Sequence, residues 1–167
     1  MKNKHIIIIL SALAVIIGVL SYVNRPDGDI ISGTLTIARS DEVLAVFTID
    51  EIREFPYIEV EKEIVSSSSA NESGVWRGVP LHTLLDIVDK NLLESGGTVI
   101  ARAEDNFVMT YECEEVAADD NVLVIYSKDG EALLSRSEGG KGPLRILVQE
   151  DVFGNRCTMY LYHIEVK

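Results

Sequence analysis

Three cations and a glycine-rich turn carry the most suggestive chemistry in this chain. Gly139-Gly140-Lys141-Gly142-Pro143-Leu144-Arg145 sets a lysine and an arginine around one turn, and Arg156 follows in Gly154-Asn155-Arg156. Such residues hold phosphates and carboxylates, the arginines through a planar fork and the turn through its backbone N–H groups. Taken singly, each arginine is more simply explained as the partner of a surface carboxylate. A second stretch, Ser66-Ser67-Ser68-Ser69, offers a run of hydroxyls at the end of an alternating segment. Ser67, Ser68, Lys141, Arg145 and Arg156 form the candidate cofactor- or anion-binding set.

Other constellations read more plainly. His82 and Asp86 are four residues apart on one predicted helix and can touch, yet no G-x-S-x-G elbow presents a serine to them. A hydrolase triad is not expected, and no catalytic residue is named. The two cysteines, Cys113 and Cys157, form no C-x-x-C, and His5, His82 and His163 supply no zinc or haem spacing. Both cysteines lie in alternating apolar runs, where a free thiol behaves as a small core hydrophobe. Outside the cytoplasm two cysteines can also pair. Glu112, Glu114, Glu115, Asp119 and Asp120 lack the D-x-D-x-D-G order of a calcium loop and read as a solvated face.

The elements that must position these residues follow from periodicity. Ile30–Ile37 and Val43–Phe47 read as strands, and Thr48-Ile49-Asp50-Glu51 as a capping box opening a short helix that stops before Pro56. Tyr57–Val65 alternates, with Glu59, Glu61 and Glu63 on the wet side. A polar loop is expected after the serines, with Trp76 anchoring it in the core. Pro80 then starts a helix whose stripe is Leu81, Leu84, Leu85 and Val88. Strands are expected at Thr98–Ala103, Phe107–Cys113, Asn121–Ser127, Leu144–Val148 and Thr158–Val166, with a hairpin at Asp129-Gly130.

In this order, Trp76-x-Gly78-Val79-Pro80-Leu81, the Glu104-Asp105-Asn106-Phe107 stretch, the Asp129-Gly130 hairpin, the Gly142-x-x-Arg145 step and a closing Ile164-Glu165-Val166 strand resemble the molybdopterin-binding domain of the sulfite-oxidase family. The chain looks most like that family's compact bacterial members, over about residues 30–167. The resemblance implies an α+β, mostly-β domain with short helices. It also implies a pterin-phosphate cofactor whose molybdenum takes one cysteine thiolate from the loop before W-x-G-V-P-L. Here Ser66–Ser69 occupy that place, and a hydroxyl is a poor substitute for a soft thiolate. Met159 stands where the family commonly has a basic residue, while Arg156 is kept. The resemblance thus makes molybdopterin the family cofactor, while the serines lead to an expectation that none is bound.

Composition bounds the setting. From Ile6 to Val23 the chain carries no charge, with Lys2 and Lys4 before it and Arg25, Asp27 and Asp29 after. At 1.5 Å per residue the run spans roughly 27 Å, close to a hydrocarbon core, and the flanking charges put the amino end in the cytoplasm. Residues 1–29 are read as an amino-terminal transmembrane anchor and linker, with a cleaved signal peptide as the alternative. Residues 30–167 are read as one domain outside the cytoplasm. Setting aside Lys2, Lys4, Arg25, Asp27 and Asp29 leaves 12 basic and 25 acidic residues, a net charge of −13. So acidic a surface repels nucleic acid and anionic lipid. Membrane contact is expected through residues 6–23 alone, and the expected partner is a small anionic ligand. The leading expectation is a non-catalytic binding or accessory protein. A molybdopterin-dependent oxidoreductase with atypical metal ligation is the alternative, and a structural surface protein a third.

Overall fold

The computed structural model describes residues 2–23, 31–40, 42–66, 70–94 and 96–167. Two compact units divide the chain, Met1–Ile30 and Ile31–Lys167. In the first, Lys2–Val23 forms one helix, α1, and its described side chains, 9–19, are all exposed. Among the described residues no helix is long and apolar enough to cross a membrane. The spanning segment expected at 6–23 therefore rests on the sequence alone.

The second unit opens with strands β1 (Thr34–Arg39) and β2 (Glu42–Thr48), then helix α2 (Ile49–Arg53). The capping box is present: Thr48 Oγ1 accepts from Glu51 N at 3.3 Å, and Glu51 Oε2 accepts from Thr48 N at 2.7 Å. Next come β3 (Ile58–Ile64), β4 (Glu72–Pro80), α3 (Leu81–Val88), β5 (Thr98–Ala103), β6 (Val108–Glu112) and α4 (Cys113–Ala117). The chain finishes with β7 (Val122–Lys128), β8 (Glu131–Ala132), β9 (Arg145–Val148) and β10 (Leu161–Val166).

Two five-stranded sheets result. One has the order β2-β1-β10-β5-β6, with β1 and β10 parallel and the other pairs antiparallel. In the other, β3, β4 and β7 run side by side, and the far edge of β7 is shared by β9 and β8. Side chains alternate across a strand, so β7 feeds two cores. Val122 and Val124 join the main cluster with Leu35, Ile37, Ile164 and the α3 leucines. Leu123 and Ile125 face the other way, with Trp76, Leu147, Ile64 and Cys157. Strand β7 is thus covered on both faces, and six of its consecutive residues are buried.

Three expectations need correction. The loop expected after the serines is largely strand β4. Gly74, Gly78 and Pro80 depress its apparent β propensity, but a Cβ at Gly78 would lie 2.5 Å from Val124 O and one at Gly74 2.5 Å from the Lys128 side chain. The glycines are what let β4 lie against β7. Cys113 ends no strand; it starts α4, a turn too short to announce itself by periodicity. The first strand begins at Thr34 rather than Ile30. Trp76 is fully buried, donating Nε1–H to Lys62 O at 3.1 Å, and both cysteines are free and buried.

Candidate functional site

The outer face of the second sheet carries a cleft of about 260 Å³. Strand alternation sets its charged lining: Glu72 comes from one face of β4 and Arg145 from the matching face of β9, with Trp76 and Leu147 buried on those same faces. Its walls include Ser66, Asp105, Lys141, Cys157 and Met159. Asp105 belongs to the β5–β6 turn, where it accepts Phe107 N–H at 3.1 Å. The start of the serine loop is pinned through Asn71, which accepts from Ser66 N at 3.2 Å and donates to Glu63 at 3.1 Å.

Lys141 and Arg145 meet as the sequence suggested, and they meet on Glu72. Lys141 Nζ donates to Glu72 Oε1, and Arg145 Nη1 donates to Glu72 Oε2 at 3.2 Å. Burial pushes the Glu72 carboxyl up, but hydrogen bonds and charge from Lys141 and Arg145 outweigh it and leave the group below its usual range. Arg145 is 4% exposed and lies 5.4 Å over the Trp76 ring, and among the described residues its Nε has no hydrogen-bond partner. A buried donor left unpaired costs about 1–3 kcal/mol.

Two expected contributors are placed differently. Arg156 is not among the residues lining the cleft. Its Nε and Nη2 donate to Asp151 at 2.7 and 2.5 Å, and its Nη1 pairs with Glu115 at 2.6 Å. Those two carboxylates hold its pKa above the ordinary arginine value. Nor do the turn glycines offer an anion nest. Gly139, Gly140 and Gly142 spend their N–H groups on Arg136 O, Ser135 O and Leu134 O. Ser67 and Ser68 lie outside the described residues. Among the described residues His82 Nδ1 is buried without a partner, so it makes no bond to Asp86 there.

Sequence reasoning missed Glu72, Asp105 and Cys157. Glu72 meets its cations across 69 and 73 residues of chain, a contact with no local signature. Cys157 had one: it directly follows Arg156, in a loop already singled out for its arginine.

The chain belongs to the family of oxidoreductase molybdopterin-binding domains, whose sequence model matches residues 26–167. A mixed, mostly-β molybdopterin-binding fold is what the strands above build. Among solved structures it is similar to the sulfane dehydrogenase SoxCD from Paracoccus pantotrophus, with a TM-score of 0.64 and 19% identity. The match covers 83% of this chain and 39% of that one, and at this identity the likeness is one of fold. No curated protein matches the chain.

The described residues fit the family's metal-bearing cofactor poorly. Glu72 and Asp105 balance Lys141 and Arg145, so the cleft holds no surplus positive charge for a polyanion. Among the described residues no group of three or more histidine, cysteine or carboxylate side chains is arranged to hold a metal ion. The one thiol at the cleft is Cys157, 7% exposed. What the cleft does offer is a buried arginine with one donor unspent.

Proposed function

We propose that this chain is a membrane-anchored, extracytoplasmic member of the molybdopterin-binding family with a non-catalytic binding or accessory role. On this reading it holds a small anion in the cleft beside Ser66. The observation that carries it is Arg145: almost wholly buried, stacked on Trp76, and left with an unpaired Nε. Serine hydroxyls in place of the family's thiolate argue against metal redox chemistry. The anchor is supported by the uncharged run Ile6–Val23 and the lysines before it. A thermal-shift and calorimetric screen of inorganic phosphate, pterin phosphates and small carboxylates against wild type and Arg145→Ala tests the binding role. Losing one charge-assisted contact should weaken binding about tenfold or more. Stoichiometric molybdenum in protein from a molybdenum-replete native host would overturn the reading. Full recovery of the chain in the soluble fraction, starting near residue 24, would overturn the anchor.

One observation favours a second reading, an oxidoreductase with atypical metal ligation: Cys157 brings a soft sulfur to the same cleft as Ser66. Molybdenum that copurifies with wild type and is absent from Cys157→Ala would select it.

A further inference from the structure

A second recess, of about 240 Å³, lies on the opposite side of β4. Trp76 and Arg77 are neighbours in one strand, so their side chains leave by opposite faces. Trp76 lies buried on the face of β4 that carries the cleft, and Arg77 lines the recess with Arg53, Tyr57, Tyr126 and Ser127. A register shift builds it. Arg77 pairs with Ser127 and Gly78 with Ile125, which leaves Tyr126 as the extra residue of a bulge. Bulges re-aim side chains locally, and this one brings consecutive residues, Tyr126 and Ser127, to one recess.

The recess is lined for recognition of a planar anion. Arg77 lies 4.7 Å over the Tyr57 ring, and Arg53 lies 5.8 Å over the Tyr126 ring. Each arginine has one carboxylate partner and keeps donors in reserve. Arg77 uses Nε and Nη2 on Glu59, at 2.9 and 2.6 Å. Arg53 uses Nη1 on Asp50 at 3.1 Å, and that aspartate side chain is 87% exposed. Among the described residues nothing accepts from Arg77 Nη1 or Arg53 Nη2. Ser127 is 6% exposed, and its Oγ is buried with no partner among the described residues. Buried hydroxyls ordinarily find one.

The geometry points to a binding site for a small organic monocarboxylate, with Arg53 and Arg77 gripping the carboxylate and the Ser127 hydroxyl donating a further bond. Two features select that class. The planar fork of arginine matches a planar carboxylate. Asp50 and Glu59 already balance the two arginines, so one added negative charge is tolerated where a phosphate dianion is repelled. Tyr57, 49% exposed, gives an organic body an aromatic surface to pack against.

The test uses the full chain with benzoate as probe and inorganic phosphate as the contrasting anion. Benzoate should bind with one equivalent at this site, and the Nε–H resonances of Arg53 and Arg77 should shift on its addition to wild type. Arg53→Ala should weaken it about tenfold or more, and Ser127→Ala less. The Arg53 and Arg77 resonances belong to this recess, so binding in the cleft across the sheet leaves them unmoved. Unmoved arginine resonances, larger shifts of them with phosphate than with benzoate, or affinity at this site kept in Arg53→Ala would each overturn the assignment.

Discussion

Arg145 and Glu72, on strands at different positions in the second sheet, lie 3.2 Å apart, Nη1 to Oε2, at the floor of the cleft. Lys141 shares the same carboxylate. One glutamate therefore sets how much positive charge the cleft presents.

Glu72→Gln should release both cations, raising affinity for inorganic phosphate about threefold to tenfold by calorimetry. It should also cost about 1–2 kcal/mol in urea melts, because Arg145 stays buried with a weaker partner. The pH dependence has a definite sign. Glu72 sits below its unfolded value near 4.5, despite burial that alone would raise it, because Lys141 and Arg145 favour the charged form. Its contribution is fully present above that value and fades as pH falls through the folded pKa. The stability gap between wild type and Glu72→Gln should therefore close below about pH 4.5.

Arg156→Ala should behave in the opposite way. It leaves Asp151 and Glu115 without their shared partner, costing about 1–2 kcal/mol after allowance for partial exposure. Phosphate affinity at the cleft should stay within about twofold of wild type, since Arg156 lies outside the lining. A large loss of phosphate binding would show that the arginine swings inward.

Gly78→Ala tests the close approach of β4 to β7. The added methyl would meet Val124 O at 2.5 Å and Ile125 Cα at 2.7 Å, both backbone atoms. Overpacking of this kind costs about 1–3 kcal/mol, read as a lower urea midpoint. An unchanged midpoint would mean the strands are free to separate.

Two free thiols should be counted after denaturation without reductant. In the native protein Cys157 should react first, because it lines the cleft. Burial pushes the Cys113 thiol up, with Glu112 adding to the shift, and so depletes its reactive thiolate. Time-resolved alkylation with peptide mapping reads the order. Faster labelling of Cys113 would contradict this arrangement.

Local chemistry was legible in the sequence wherever a few adjacent residues decide the outcome. The Thr48–Glu51 capping box, the Asp129-Gly130 hairpin with both residues at positive φ, and the Leu81–Leu84–Leu85 stripe all form as their spacing implied. Strand β4 was obscured because its glycines are there for the neighbouring strand, and that neighbour lies far along the chain. The site divides the same way. Lys141 and Arg145 sit close in sequence and were found together. Their shared Glu72, the diversion of Arg156 to Asp151 and Glu115, and the bulge at Tyr126 are set by tertiary contacts that no local pattern encodes.

The place of β10 has a consequence for how the domain comes into being. It is the central strand of its sheet, parallel to β1 on one side and antiparallel to β5 on the other. During synthesis β2-β1 and β5-β6 emerge as two separate hairpins with no strand between them, and each offers an open edge to other chains. Only when Leu161–Val166 clears the ribosome can the halves be joined, by pairings among the most distant in sequence that the fold contains. Such pairings form slowly. Until that strand emerges the two hairpins stay apart, and this sheet is unsealed for as long as Leu161–Val166 is unmade.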